Sequence, residues 1–390
     1  MSSYLTASRR PRARWLAAAA VASALLFTSG GASAASIQGP ITGWEQGTEP
    51  SSVQMYIYVP DAVAAKPPIL VTVHFCSGNA QGIFSQAKSG GMVDAADKYG
   101  FIILLPQTTN NCWDVGTAPS LLHNGGGDTK AIVDQVKYTV ATYGANGDRV
   151  YVTGSSSGGM VTEAIVAAYP DVFKGGAEFA GVPAGCWAVS NLDGQWSSPC
   201  AGGMVDHTPQ EWGDIARAMY PGYTGFRPRL QLWHGSADLI IQYANHTEAI
   251  EQWTNVMDLK NPPVTSKVNI GGHDYQHDEY KDPCQTTVLD VWSEEGGPHS
   301  TDANMNGQYT MPFFGLDMPG VDVDPHAAVC VATGAGGMAA VSDIPTVPAT
   351  GCACRVTNTS GSTGALALAL AGLTVATLAR RKSKRCARVS

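Results

Sequence analysis

The feature that most constrains this chain is a serine between two glycines, placed where a strand pattern changes into a helical one. Residues 149–153 form an apolar strand pattern, GSSSG follows at positions 154–158, and a helical pattern runs over residues 160–168. A strand that turns directly into a helix across two glycines is typical of the G-x-S-x-G nucleophile elbow. Ser156 is the serine with glycine at both −2 and +2, so it is the predicted nucleophile. The alternative is an ordinary Gly/Ser turn.

Strand and helix patterns alternate on both sides of this elbow. Further strands are predicted over residues 53–59, 68–75, 101–105, 176–180, 230–233 and 288–292, and helices over 91–99, 128–143, 209–219 and 248–256. Such alternation predicts a mostly parallel sheet with helices on both faces. Together with the elbow, it predicts an α/β-hydrolase fold.

A serine hydroxyl needs a base, and the base needs an orienting acid. In this fold the three residues follow in the chain order Ser, Asp or Glu, His. Asp238 lies just past the strand at 230–233 and is the predicted acid, with a helix cap or turn aspartate as the alternative. His299 lies in a glycine-bearing loop past the last strand and is the predicted base. His326, further along the chain, is the alternative base.

The negative charge that develops during acyl transfer needs backbone N–H donors. One donor is predicted at Ser157, directly after the nucleophile. The second is predicted in the loop that follows the strand ending at His74, where Cys76 and Ser77 lie. His74 itself is expected to be buried and to shape this loop.

No metal or organic cofactor is predicted. His273 and His277 have the spacing of a zinc-binding helix, but no helical pattern surrounds them, so a polar loop is favoured. Asp322 and Asp324 alone are weak candidates for calcium. The net charge of −8 and the scattered Lys and Arg argue against a nucleic-acid partner.

The two ends of the chain resemble processing signals. Residues 1–35 combine four arginines, an apolar run and a small-residue cleavage site at 32–34, which predicts a secretory signal peptide. Residues 36–338 suit one α/β domain, and residues 339–363 form a linker that contains Cys352 and Cys354. Residues 364–390 join a short apolar segment to a basic end, and the segment is short for a durable membrane anchor.

Six cysteines fall within residues 36–338, and an even number in an exported domain suggests disulfides. Six cysteines allow fifteen pairings, which the sequence alone leaves open. Proximity in the inferred fold favours Cys76–Cys112, and Cys186–Cys200 would close a short loop. Cys284–Cys330 is the pair that remains.

Several segments together resemble a known family. They are VHFCSG at 73–78, NCWDV at 111–115, GGGD at 125–128, the elbow, FAGVP at 179–183, PGYTG at 221–225 and WHGSAD at 233–238. The chain is similar, over about residues 50–315, to secreted esterases grouped with polyhydroxybutyrate depolymerases and carbohydrate esterase family 1. Segment 271–284 departs from the pattern. The resemblance implies hydrolysis of carboxylic esters without a cofactor, on plant cell-wall polysaccharide or on a polyester.

Substrate class is predicted from the same segments. The runs around 111–115, 181–183 and 221–225 resemble the xylan-active branch, so acetyl xylan or feruloyl esters rank first and polyhydroxybutyrate second. A surface protein that binds polysaccharide without catalysis is a third hypothesis. Trp113 and Trp233 lie near strand ends and are predicted to stack on sugar rings, with burial in the core as the alternative.

The last 40 residues resemble the C-terminal sorting tail of myxobacterial surface proteins. This resemblance implies handling by a sorting protease at the membrane, with Cys352 or Cys354 near the processing site. An ordinary tail anchor, or a disulfide between the two cysteines, is the alternative. The ends together predict a secreted protein that is extracellular or displayed on the cell surface.

Overall fold

The computed structural model describes residues 35–47, 49–189, 196–299 and 306–318. Ten strands form one sheet in the order β1-β2-β4-β3-β5-β6-β7-β10-β9-β8. The strands are β1 (Gln38–Ile41), β2 (Val53–Tyr58), β3 (Ile69–Val73), β4 (Ile102–Thr108), β5 (Val150–Ser155), β6 (Gly175–Phe179), β7 (Arg229–Gly235), β8 (Val264–Ile270), β9 (His273–Lys281) and β10 (Thr287–Glu294).

The six central strands, β4, β3, β5, β6, β7 and β10, are parallel, and antiparallel strands flank them at both edges. The helices are α1 (Ala80–Ser89), α2 (Met92–Tyr99), α3 (Ala118–Leu121), α4 (Asp128–Tyr143), α5 (Ser157–Ala168), α6 (Ser198–Ala201), α7 (Pro209–Ala218), α8 (Ala244–Val256) and α9 (Gly307–Phe314), with a 3-10 helix at Cys186–Val189. The predicted mostly parallel sheet is confirmed.

The sheet separates two apolar cores, because successive side chains of a strand point to opposite faces. On β3, Val71 joins the core beneath α4, α5, α7 and α8, whereas Leu70 joins the core beneath α1, α2 and α9. Strands buried on both faces are apolar throughout, which is why the sequence pattern identified the central strands.

The prediction of a polar loop around His273 and His277 is wrong. These residues lie on β9, which forms an antiparallel hairpin with β8 around Gly271 and Gly272, whose φ angles are +62° and +96°. The hairpin lies at the edge of the sheet, and β8 is largely exposed, so it lacks the apolar alternation that reveals a strand.

Two of the predicted disulfides, Cys76–Cys112 and Cys186–Cys200, are confirmed. Cys284 is also disulfide-bonded, and Cys330 lies outside the described residues. Residues 1–34 of the predicted signal peptide, the linker, the sorting tail and His326, together with Asp322 and Asp324, likewise lie outside them. Across the parts of the chain that the structure describes, no helix is both long enough and apolar enough to cross a membrane.

Candidate active site

The predicted elbow is a tight turn between β5 and α5. Ser156 has φ +54° and ψ −119°, a backbone conformation that residues other than glycine rarely adopt. Its N–H donates to the Phe179 carbonyl oxygen at 2.8 Å. Both flanking positions require glycine because the neighbouring backbone leaves no room for a Cβ atom. A Cβ atom on Gly158 would lie 2.2 Å from the Val73 carbonyl oxygen, and one on Gly154 would lie 2.5 Å from the Gly158 carbonyl oxygen.

The structure brings the three predicted site residues into one chain of hydrogen bonds. The His299 Nε2 atom lies 3.1 Å from Ser156 Oγ, and its Nδ1 atom lies 2.7 Å from Asp238 Oδ2. The other carboxylate oxygen of Asp238 accepts the N–H groups of Ile240 and Ile241, at 2.8 and 2.9 Å. Ser156 is 9% exposed and Asp238 2% exposed, so this chain is largely shielded from water.

The charge of Asp238 is set by opposing effects. Burial alone raises the pKa of this carboxyl, but hydrogen bonds from His234, His299 and the Ile240 N–H outweigh burial and hold the pKa well below its usual range. Asp238 is therefore an anion at neutral pH, as an acid that orients an imidazole must be.

Two loops pack together to place His299 opposite Asp238. The Ala237 N–H donates to the Gly297 carbonyl oxygen at 2.8 Å, and the Ser236 N–H donates to the Glu294 carbonyl oxygen at 2.9 Å. A Cβ atom on Gly235 would lie 2.4 Å from the Gly297 oxygen. Because β7 and β10 are parallel neighbours, their carboxyl ends deliver both loops to the same edge of the sheet.

Ser157 and Cys76 remain the predicted N–H donors to an oxyanion. Ser157 is the first residue of α5, where a backbone N–H has no partner within the helix. In the loop after β3, the Ser77 N–H donates to the Asn111 carbonyl oxygen at 2.6 Å. The prediction that Ser77 serves the oxyanion hole is therefore wrong. The disulfide from Cys76 to Cys112 ties this loop to the one after β4.

His74 shapes the same loop. Its Nδ1 atom lies 2.7 Å from the Phe75 carbonyl oxygen, and its Nε2 atom accepts the Thr108 N–H at 3.1 Å. Burial lowers the pKa of His74 to about 4, so the ring is neutral. A neutral ring can donate through Nδ1 and accept through Nε2, which is what these two contacts require.

The prediction that Trp113 and Trp233 stack on sugar rings is wrong, and the alternative of burial in the core holds. Trp113 is 1% exposed, and its Nε1 donates to the His74 carbonyl oxygen at 2.9 Å. Trp233 is 4% exposed and stacks on Trp292 with the ring centroids 4.5 Å apart. Neither ring face is open to a substrate.

Sequence reasoning missed two groups at this site. Leu239 and Ile240 directly follow the acid and are 81% and 52% exposed, an unusual exposure for large aliphatic side chains beside a buried site. His234 lies within the WHGSAD segment, and its Nε2 atom is 3.3 Å from Asp238 Oδ2. Its position four residues before the acid was the available signal.

Three buried side chains close to the acid have a geometry that could hold a metal ion. Glu178, His234 and His246 are buried, and each offers a donor atom within 4.8 Å of the others. His273 and His277, whose spacing was considered for zinc and set aside, lie on β9, where they contact Glu294 at 2.8 Å and Asp290 at 2.5 Å.

Comparisons with known proteins identify the family and the fold. The sequence profile of the family described as Esterase PHB depolymerase matches residues 52–212. An acetyl xylan esterase from Aspergillus awamori superposes with a TM-score of 0.66 and 36% identity, over 72% of this chain and 99% of that one. The chain belongs to the esterase PHB depolymerase family. Its fold is the α/β-hydrolase fold, as predicted.

Two curated members of the family are closely similar in sequence. The probable acetylxylan esterase A of Aspergillus fumigatus is 44% identical over 59% of this chain and 62% of the relative. Feruloyl esterase B of Talaromyces stipitatus is 47% identical over 58% of this chain and 64% of the relative. The chain thus matches just under two thirds of the length of each of these two relatives.

Proposed function

We propose that this chain is a serine esterase that hydrolyses carboxylic esters on plant cell-wall polysaccharide, with acetyl or feruloyl esters as substrates. The observation that carries the proposal is the hydrogen-bonded chain from Ser156 through His299 to Asp238. This arrangement is what a serine hydroxyl requires to act as a nucleophile at neutral pH.

The reaction follows from the contacts of these residues. Ser156 Oγ attacks the ester carbonyl while His299 Nε2 takes its proton, and Asp238 holds the imidazole by its Nδ1–H. The oxyanion accepts the N–H groups of Ser157 and Cys76, and the N-terminus of α5 adds its positive end. The alcohol leaves with the proton from His299. Water, deprotonated by the same imidazole, then releases the acid from Ser156.

The relatives support the substrate class. Two of the similar proteins are named as acetylxylan esterases and one as a feruloyl esterase. A second candidate is a polyhydroxybutyrate depolymerase, which the description of the family favours. A catalytically silent binding protein is the third, and the close contacts of Ser156, His299 and Asp238 argue against it.

Substrate comparison is the experiment that tests this proposal. The purified chain and its Ser156→Ala variant are assayed on acetylated xylan, methyl ferulate and a polyhydroxybutyrate emulsion. Release of acetate or ferulate by the wild type alone supports the proposal. Clearing of the emulsion without hydrolysis of the other two makes the depolymerase the better assignment. Equal hydrolysis by the Ser156→Ala variant removes Ser156 from the mechanism.

The proposed location is outside the cell or on its surface. Disulfides persist in oxidising compartments, so Cys76–Cys112 and Cys186–Cys200 support export. The signal peptide at 1–35 and the tail at 364–390 supply export and handling by a membrane-bound sorting protease. Fractionation of expressing cells, with and without a Cys352→Ala and Cys354→Ala substitution, tests this. Equal amounts of unprocessed chain in both would contradict the sorting role.

A further inference from the structure

We propose that His234 is a positioning residue for the triad acid, a second imidazole that holds Asp238 from the side opposite His299. The inference rests on the proposed function, because it assigns a part in the same reaction. His234 lies at the end of β7, and the chain turns back so that Asp238 reaches its ring.

The partner of Nε2 shows which atom of the His234 ring carries a proton. The Nε2 atom lies 2.8 Å from the Ile241 carbonyl oxygen, and a carbonyl oxygen can only accept, so Nε2 carries the proton. The same N–H lies 3.3 Å from Asp238 Oδ2. The Nε2–H group of His234 therefore donates to the turn that follows the acid and at the same time lies within ion-pair distance of the acid itself.

With this contact, every side of the Asp238 carboxylate faces a donor. Oδ1 accepts the N–H groups of Ile240 and Ile241, and Oδ2 lies between the rings of His299 and His234. His234 is 3% exposed and Asp238 2% exposed. In such a buried site, the hydrogen bond is electrostatically stronger than it is in water.

The other titratable groups around His234 come from two elements. From β6, Glu178 is buried and its Oε2 accepts the Gly181 N–H at 2.6 Å. From α8 and the residue before it come His246 and Tyr243, which contact Ser293 Oγ at 3.2 and 2.8 Å. Burial and the nearby His234 lower the pKa of His246 well below its usual value. In the part of the chain that the structure describes, these three groups form their hydrogen bonds with Gly181 and Ser293 and not with the carboxylate of Asp238.

Loss of the His234 contact has a definite electrostatic consequence. Without this contact, the negative charge of Asp238 is less neutralised by a neighbouring donor, so the carboxylate attracts a protonated His299 more strongly. A higher pH is then needed to make His299 a neutral base. The acid limb of the pH–rate profile therefore moves to higher pH, whereas a merely unfolded fraction would scale the profile without moving it.

Three variants test the proposal. His234→Leu removes the donor, His234→Gln offers an amide donor near the same place, and His246→Leu removes a buried imidazole that does not bind Asp238. We expect His234→Leu to lower kcat per active site about 10-fold, the cost of one hydrogen bond to a charged group, with KM little changed. We expect its acid limb to move up by about half a pH unit.

His234→Gln should recover most of both changes, and His246→Leu should show neither. Titration with an active-serine phosphonate corrects every rate for the folded fraction. A wild-type acid limb in His234→Leu, or an equal shift in His246→Leu, overturns the proposal. So does a wild-type enzyme whose limb shifts equally after treatment with EDTA, because a metal at the buried histidines would then hold the acid.

A second readout does not depend on turnover. NMR of labelled histidine gives the titration midpoint of the His299 ring in the wild type and in the three variants. A higher midpoint in His234→Leu alone supports the positioning role even if no ester is cleaved, in which case only the proposed function fails. An unchanged midpoint in an enzyme that does cleave esters overturns the inference alone.

Discussion

At the scale of single residues, the direction of each hydrogen bond decides which side chain can occupy the position of Asp238. Asp238 faces two backbone N–H groups through Oδ1 and two imidazoles through Oδ2. A carboxylate suits all four positions because both of its oxygens accept. No neutral side chain of the same shape can do so.

Asp238→Asn should therefore remove catalysis while the fold remains. The amide oxygen must face the Ile240 and Ile241 N–H groups, so the amide NH₂ faces His299 Nδ1. That nitrogen then accepts, and Nε2 carries the proton and cannot act as a base. We expect kcat to fall by about 10⁴-fold, as for the same change in a serine protease. The exposed Asp148→Asn variant is the control, and comparable rates for the two variants would contradict the assignment.

Burial of the single residue Glu178 makes the free energy of unfolding depend on pH. Desolvation raises the pKa of Glu178, and the field of His234 and the Gly181 N–H offset only part of this effect. The folded state thus binds a proton that the unfolded chain releases above the ordinary glutamate pKa of 4.5. The free energy of unfolding must fall as pH rises from there towards neutrality, since the folded state holds more protons.

Glu178→Gln should remove this dependence. The amide is neutral at every pH, and its oxygen can still accept the Gly181 N–H. We expect the variant to be more stable than the wild type at pH 7.5 by about 1–3 kcal/mol, and the difference to vanish near pH 4. Urea unfolding across this range measures it. A constant difference at all pH values would show that Glu178 is not the titrating group.

Among the elements, the loop after β3 has two separate restraints. The Cys76–Cys112 disulfide ties it to the loop after β4, and the Ser77 N–H donates to Asn111 in that same loop. Cys186–Cys200, by contrast, lies in the segment between β6 and α7. The two disulfides should therefore differ in their effect on catalysis more than in their effect on stability.

Paired Cys→Ser variants test this difference. Removing Cys76–Cys112, which spans 36 residues, or Cys186–Cys200, which spans 14, should each cost about 3–4 kcal/mol of stability. Only the first should also lower kcat by about 10-fold, because it loosens the N–H donor at Cys76. Equal kcat in the two folded variants would mean that the oxyanion loop does not need its disulfide.

At the largest scale, the described part of the chain places the candidate site at the carboxyl ends of the parallel strands. Ser156 follows β5, Asp238 follows β7 and His299 follows β10, and these strands lie close together in the sheet although 143 residues separate Ser156 from His299. Ligand sites of open parallel sheets lie at this edge because the loops converge there. Within the described residues, the site is thus assembled from loops at this edge of the sheet.

A chain that stops at residue 338 should for this reason keep its catalytic activity. We expect its kcat on p-nitrophenyl acetate to lie within about 2-fold of the full-length value, the spread usual for changes away from the chemistry. Its thermal unfolding midpoint should also be unchanged. A loss of activity with a lowered midpoint would place part of the folding domain beyond residue 338.

The sequence by itself determined the elbow, the order of the triad candidates and the central strands, and it favoured the two disulfide pairs that the structure contains. Each of these depends on local rules, such as a turn that admits only glycine, apolar runs for strands buried on both faces, and cysteines brought close by neighbouring strands. The polar hairpin of β8 and β9 was not predicted from the sequence, because an exposed edge strand needs no apolar pattern.

Tertiary structure alone decided which groups the site can use. In the sequence, Trp113 and Trp233 cannot be told apart from exposed aromatic residues. Packing from distant strands buries both. The Ser77 N–H is consumed by Asn111, 34 residues away, and His234 acquires its contact with Asp238 only because the chain turns back after β7. Burial and hydrogen-bond partners are properties of non-local packing, so no local pattern carries them.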